Sequence, residues 1–288
     1  MRSSQVPKRL KPVLLGVSQT AGRVTAGARM RPAFLIAGGQ RCGTTSMYRT
    51  LAQHPALLKA VWHKGVHYFD LNYGRGMAWY RSHFPLELTA ARVERSVGVR
   101  PMTYESSPYY LWHPLAPQRY ARDLPGVKVL VLLRDPVERA YSAYTHELAR
   151  GFETETFERA LELEAERTKG EEERLVADGT SHSHAHQHQA YLARGRYVDQ
   201  LERVADAVGR ENLLVLDSDD FFLTPEPVYR SVLEFLGVPD MGRPVFEQHN
   251  ARPRSAMDPD LRTRLEGELR ADDERLEAWL GWTPSWRR

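Results

Sequence analysis

Ala33-Phe34-Leu35-Ile36-Ala37 runs straight into Gly38-Gly39 and then, past Gly43, into a helix-forming stretch over residues 44–53. This strand, glycine turn and helix constrain the chain more than any other feature. An apolar run without alternation reads as a strand buried on both faces, as parallel strands are. Parallel strands need crossovers, so helices must cover the sheet. His54-Pro55 stops the first helix. Residues 61–69 then read as a second strand and turn, and residues 97–105 as a third strand. Residues 127–133 form the clearest strand, and Arg134-Asp135-Pro136 opens a helix with proline near its first position. Residues 156–176 and 189–208 read as helices, 212–216 as a strand, and 225–236 and 258–280 as helices. The class is α/β, with a central, mainly parallel sheet flanked by helices.

The 288 residues and 42% hydrophobic content suit one large domain with a core that needs no disulfide or metal. A single cysteine excludes a disulfide framework and a multi-cysteine zinc site. No run approaches the roughly 18 apolar residues that span a bilayer. The net charge of +3 invites nucleic acid as a partner, but its distribution speaks against it. Seven of the 40 basic residues (Arg2, Lys8, Arg9, Lys11, Arg23, Arg29, Arg31) lie in residues 1–31, which hold no acid. The remaining 33 face 37 acidic residues, so residues 32–288 are slightly acidic. Residues 1–31 therefore read as a basic, flexible arm and 32–288 as a single domain. The arm lacks the apolar core and cleavage site of a signal peptide. It is a plain extension or a weak contact with an anionic membrane surface.

The turn reads Gly38-Gly39-Gln40-Arg41-Cys42-Gly43-Thr44-Thr45-Ser46. Helix-start amides and the partial positive charge there hold anions. The spacing nearly matches the nucleoside-triphosphatase pattern G-x-x-x-x-G-K-[ST], with Thr44 in the lysine position. That lysine reaches the β- and γ-phosphates, and the next hydroxyl holds Mg²⁺. Its loss argues against ATP or GTP hydrolysis, while the loop still suits a compact anion at the end of a nucleotide. A glycine turn without a ligand is the plain alternative.

Residues 37–46 resemble the 5′-phosphosulfate loop of sulfotransferases that use 3′-phosphoadenylyl sulfate (PAPS). Residues 129–142, Val-Leu-Val-Leu-Leu-Arg-Asp-Pro-Val-Glu-Arg-Ala-Tyr-Ser, resemble their 3′-phosphate motif. Lys64-Gly65-Val66-His67-Tyr68-Phe69-Asp70, Trp79-Tyr80-Arg81-Ser82-His83-Phe84-Pro85 and Glu105-Ser106-Ser107-Pro108 resemble the heparan-sulfate-type branch and its bacterial relatives. The ordered matches span residues 33–260. The resemblance implies a P-loop-like three-layer fold, PAPS as sulfuryl donor, adenosine 3′,5′-bisphosphate as product, and no metal. It also implies that Arg41, Gly43, Thr44, Thr45 and Ser46 bind the donor's 5′ end, with Cys42 a spacer in the same loop. Arg134 and Ser142 would bind the 3′-phosphate, and Arg252 and Arg254 resemble the late basic loop that closes over the nucleotide. Two separated anionic groups need two anion sites, and a strand's C-terminal end beside the glycine turn is the place for the second. Arg134 emerges there with a forked, permanent charge. A helix-terminus ion pair with Asp135 or Glu138 is its plain alternative.

Sulfuryl transfer needs a base for the acceptor hydroxyl and a cation for the leaving phosphate. Arg41 suits the second role. In the relatives resembled, a glutamate follows the lysine matching Lys64, but here that position is Gly65, and Ser106 replaces a usual lysine. His67 supported by Asp70 is the base expected, Glu105 the alternative, and a purely structural histidine the plain reading. His182, His184, His186 and His188 read as a surface loop bordering the acceptor cleft, not a metal site. Trp79, Trp112, Tyr109 and Tyr110 have the chemistry to stack on a sugar or aromatic acceptor, with core packing the plainer reading of each. The acceptor expected is a small molecule or glycan, with carbohydrate first. A small-molecule kinase using ATP and a relict carbohydrate-binding protein are the rival readings. The Ala/Arg-rich usage suits a bacterial cytoplasmic enzyme.

Overall fold

The structure, a computed structural model, describes residues 22–249 and 255–288. β1 (Pro32–Gly38) ends in the glycine turn, and α1 (Thr44–Leu51) follows it. The chain crosses to the sheet edge for β2 (Leu57–Lys59), then runs through α2 (Met77–Arg81) and α3 (Glu87–Val97). β3 (Met102–Ser106) returns between β2 and β1, and α4 (Ala116–Asp123) leads to β4 (Lys128–Leu133) on the other side of β1. Four helices come next: α5 (Pro136–Leu148), α6 (Phe157–Thr168), α7 (Glu171–Ala177) and α8 (Tyr197–Val208). β5 (Leu213–Asp217), α9 (Ser218–Leu223), α10 (Pro225–Leu236) and α11 (Pro259–Leu280) complete the order. The sheet order is β2-β3-β1-β4-β5, and every neighbouring pair is parallel.

The two-residue period of a strand explains the three layers. Leu35, Val129, Val131 and Leu133 enter one core with Tyr120 of α4 and Tyr197, Leu201 and Val204 of α8. Phe34, Ile36, Leu130 and Leu132 enter the other with Met47 and Leu51 of α1 and Val232, Leu233 and Leu236 of α10. Both faces are therefore covered, as the unbroken apolar strands require. β1 connects to elements on both of its sides, so the switch point of the sheet lies at its C-terminal end. At the end of β4, Asp135 accepts from the amides of Val137 and Glu138, and Pro136 takes the first helical position.

Four expectations are corrected. The strand predicted at 61–69 is irregular: its amides bond side chains of the neighbouring segment rather than a strand, Val66 to Glu105, His67 to Ser107 and Tyr68 to Tyr110. The helix at 156–176 divides at Gly170, whose φ is +73°. The helix at 189–208 starts only at Tyr197, after a π-helical turn at Ala185–Gln189. The last ten residues of the basic arm pack on the domain: Ala26 and Met30 are buried, and the Met30 amide donates to Pro85 at 2.9 Å. Among the described residues no helix is long and apolar enough to cross a membrane.

Candidate active site

The C-terminal ends of β1, β3, β4 and β5 surround one cavity of about 420 Å³. The glycine turn forms one end of it. Gly43 holds φ at +82°, and a Cβ there would come within 3.0 Å of Phe222 Cζ, so conformation and packing both demand glycine. α1 begins without a side-chain cap or an acidic residue in its first turn, which leaves helix-start amides without an intrahelical acceptor.

Arg41, Gly43, Thr44 and Thr45 line this end, and Arg41 Nε donates to Ser142 Oγ at 3.1 Å. Lys64 reaches in from outside the turn: its Nζ donates to Thr44 Oγ1 at 3.0 Å and Thr45 Oγ1 at 2.9 Å. Burial, and then the charges of Arg41 and Arg49, push its pKa down to about 7. Arg134 and Ser142 line the cavity at the end of β4 and two turns into α5. Arg134 Nη2 lies 3.5 Å from Glu138 Oε2, so the ion pair expected as its alternative exists alongside its exposure to the cavity. Ser46 and Cys42 do not line it. Ser46 Oγ accepts from the His249 amide at 2.9 Å, while the Cys42 side chain is buried among Phe34, Ile36 and Met47. Arg252 and Arg254 lie outside the described residues, and His249, close before them in the chain, lines the cavity.

His67 faces the same space with its backbone at φ +53°. Its Nδ1 stands 2.8 Å from Asp70 Oδ2, and since a carboxylate only accepts, Nδ1 carries the proton of the neutral ring and Nε2 then holds the lone pair. Asp70 Oδ1 accepts from the Leu71 amide at 2.6 Å. Burial pulls the imidazole pKa down, but the Asp70 charge and hydrogen bond, with Glu105 behind, outweigh it and leave the pKa raised. A Cβ on Gly65 would lie 2.8 Å from the Ser106 carbonyl and 3.2 Å from His67 Nε2. The imidazole thus stands beside the place where a side chain at 65 would start.

Glu105, the alternative base, is a correction. It is fully buried and away from the cavity lining. Its carboxylate accepts from Ser107 Oγ (2.6 Å), Tyr110 OH (2.7 Å), the Val66 amide (2.8 Å) and Tyr80 OH (3.0 Å). Burial pushes its pKa up, although the Ser107, Tyr110 and Val66 bonds oppose that. Four donors leave it no geometry for abstracting a proton from a substrate; it anchors the loop that carries His67.

Beyond the histidine segment, the far wall has no counterpart in the sequence motifs. Tyr109, Arg150, Gln187, His188 and Arg194 line it. Buried Glu147 holds three of the surrounding groups: Gln40 Nε2 (3.2 Å), Arg150 Nη1 (3.0 Å) and His188 Nδ1 (3.2 Å). The histidine segment does border the cavity, but it is not simply a surface loop. His186 is buried, stacks on Trp112 at 4.8 Å and meets Tyr109 OH at 2.7 Å. Among the described residues no group of histidines, cysteines and carboxylates could hold a metal ion. Trp79 and Tyr110 are core, as expected, whereas Tyr109 is both buried and on the cavity wall. Lys64 heads the motif at residues 64–70, which by itself assigns it no role. The missing lysine of the turn was the signal that a cation must arrive from elsewhere.

Cations gathered at two neighbouring strand ends of a parallel sheet define a class of α/β protein that takes its ligand at the C-terminal edge of the sheet. The family is narrower than the class. Residues 31–250 match the sulfotransferase domain, and the chain belongs to that family. It is 32% identical over 215 residues to the human bifunctional heparan sulfate N-deacetylase/N-sulfotransferase 1, covering 72% of this chain and 22% of that protein. Over 221 residues it is 29% identical to the human heparan sulfate glucosamine 3-O-sulfotransferase 5, covering 76% of this chain and 56% of that one. The chain thus spans only a part of these relatives. The crystal structure of a sulfotransferase from Alicyclobacillus acidocaldarius superposes with a TM-score of 0.67 at 32% identity, covering 90% of this chain and 99% of that one.

Proposed function

We propose that the chain transfers a sulfuryl group from PAPS to an acceptor hydroxyl, releasing adenosine 3′,5′-bisphosphate. One observation carries the reading: the glycine turn, the Arg134–Ser142 site and the lone pair of His67 open on the same cavity. In this reading the first-turn amides of α1, Thr44, Thr45 and Arg41 hold the donor's 5′ end. Arg134 and Ser142 hold its 3′-phosphate. His67, oriented by Asp70, takes the proton of the acceptor hydroxyl as its oxygen attacks sulfur in line. Arg41 meets the charge that develops on the departing phosphate oxygen. Cavity cations at two places fit a nucleotide with two anionic groups, and holding both ends orients the sulfur for attack. The acceptor proposed is a hydroxyl on a carbohydrate or glycosylated metabolite, following the heparan sulfate named for the relatives.

The test compares thermal stabilisation by adenosine 3′,5′-bisphosphate with that by ATP·Mg²⁺, then follows transfer from PAPS across a panel of hydroxylated acceptors. Stabilisation by the bisphosphate and transfer to a glycan hydroxyl are expected. Stabilisation by ATP·Mg²⁺ alone would overturn the sulfotransferase reading, and bisphosphate binding without transfer to any acceptor would make the chain a relict binder.

A further inference from the structure

The pattern G-x-x-x-x-G-K-[ST], laid on this turn, puts Thr45 at the hydroxyl that holds Mg²⁺ in nucleoside-triphosphatases, with Thr44 in place of the lysine. In this chain an ammonium already sits on those two hydroxyls, Lys64 Nζ at 3.0 and 2.9 Å. Lys64 comes from a different segment, held in place where its carbonyl accepts from the Ser106 amide at 2.9 Å. Among the described residues no carboxylate pairs with it. The charges that act on it are the guanidinium groups of Arg41 and Arg49, and it in turn acts on His67. A part-buried cation set among cations is electrostatically incomplete; only an incoming anion relieves it.

Resting on the donor reading above, we propose that Lys64 is a further catalytic residue that takes the place a divalent metal ion holds in a nucleoside-triphosphatase. Its ammonium, seated on Thr44 and Thr45, meets the non-bridging oxygens of the donor's 5′-phosphosulfate. In the transfer the bond from sulfur to the phosphate oxygen breaks and the bond from the acceptor oxygen to sulfur forms. The acceptor proton passes to His67 Nε2, and the electron pair of the broken bond stays on the 5′-phosphate. Lys64 stabilises that added charge, so its contribution is larger in the transition state than with substrate bound.

Two measurements test this. Because the free ammonium is destabilised and the bound one paired with an anion, adenosine 3′,5′-bisphosphate binding at pH 8 should draw a proton from solution. Calorimetry in two buffers of different ionisation enthalpy is expected to show an uptake of about one proton in the wild type and none in Lys64→Met. Lys64→Met should weaken bisphosphate binding about tenfold and lower kcat about 10²–10³-fold, with Lys64→Arg restoring part of the rate. Equal proton uptake in the wild type and Lys64→Met, or turnover of Lys64→Met within about threefold of wild type, would overturn the role of Lys64 and leave the donor reading intact. If the wild type does not bind the bisphosphate, the donor reading falls and the inference with it. Should Lys64→Met fail to fold, Lys64→Gln takes its place: turnover of that variant within about threefold of wild type, with the bisphosphate still bound, refutes the inference.

Discussion

Replacing Asp70 by asparagine changes one atom of the carboxylate, and the structure says which consequence dominates. Asp70 Oδ2 holds His67 Nδ1 at 2.8 Å while Oδ1 accepts from the Leu71 amide at 2.6 Å. An asparagine that keeps its oxygen toward Leu71 must aim its NH₂ at Nδ1. The imidazole nitrogen then has to accept, the ring proton moves to Nε2, and the lone pair that faced the cavity is gone. Loss of a positioned base costs about 10²–10⁴ in rate. At 1.36 kcal/mol per factor of ten, that is roughly 3–5 kcal/mol in the barrier. The opposite amide orientation preserves the tautomer but sets NH₂ against the Leu71 N–H, an unsatisfied donor that costs about 1–3 kcal/mol of stability. The assay is kcat at saturating PAPS and acceptor, beside the calorimetric affinity for adenosine 3′,5′-bisphosphate and the melting temperature. A fall of about 10²-fold or more in kcat is expected, with bisphosphate affinity within about twofold of wild type. The double variant with His67→Ala should be no slower than His67→Ala alone, because the pair acts as a unit. Asp70→Asn turnover within about threefold of wild type, at unchanged bisphosphate affinity, would refute the dyad.

Because the His67 pKa is raised, the base stays protonated to higher pH than an ordinary histidine; kcat/KM for the acceptor should rise with pH through a midpoint above about 6.5, and Asp70→Asn should move that limb downward. Gly43→Ala forces a side chain onto a backbone at φ +82° and to within 3.0 Å of Phe222, so thermal melts should show a loss of about 1–3 kcal/mol and calorimetry a weaker bisphosphate. Glu105→Gln replaces an acceptor-only group by an amide that must turn NH₂ toward one of its donors, costing about 1–3 kcal/mol in a melt while the pH midpoint of the base remains that of an imidazole. Gly65→Glu, which restores the residue usual in the relatives resembled, should destabilise the chain by about 1–3 kcal/mol and slow transfer, since its Cβ falls 2.8 Å from the Ser106 carbonyl and beside His67 Nε2.

The sheet was legible because its strands are unbroken apolar runs. A residue such as Val131 carries enough local information to be placed, and the same holds for the turn at Gly43 and the proline-started helix after Arg134. What stayed illegible depends on partners far away in sequence. Residues 61–69 have the composition of a strand, yet their hydrogen bonds go to Glu105, Ser107 and Tyr110, some 40 positions on. Glu105 was legible as a carboxylate at a strand end, but not as one saturated by two tyrosines, a serine and an amide. The wall built on Glu147 joins Gln40, Arg150 and His188 across more than 100 positions, a distance no local pattern spans.

Residues 64–70 show how one segment compensates for two departures from expectation. The glycine turn lacks its lysine, and position 65 lacks the usual glutamate. Lys64 supplies a cation to the turn, while His67 brings an imidazole beside the vacant position 65. Both depend on the same backbone path. Gly65 lets the loop pass against the Ser106 carbonyl where a Cβ would collide, and φ of +53° at His67 turns its ring back toward that gap. Glu105 and Ser107 then hold the amides of Val66 and His67, so the path is fixed from below by a strand end rather than by pairing in the sheet. An amide caught by a buried carboxylate is more strongly held than one in a loop facing water. The irregular backbone here is thus what aims a cation and a base into one cavity; a regular strand, with successive side chains on opposite faces, would send neighbouring residues to opposite sides of the sheet.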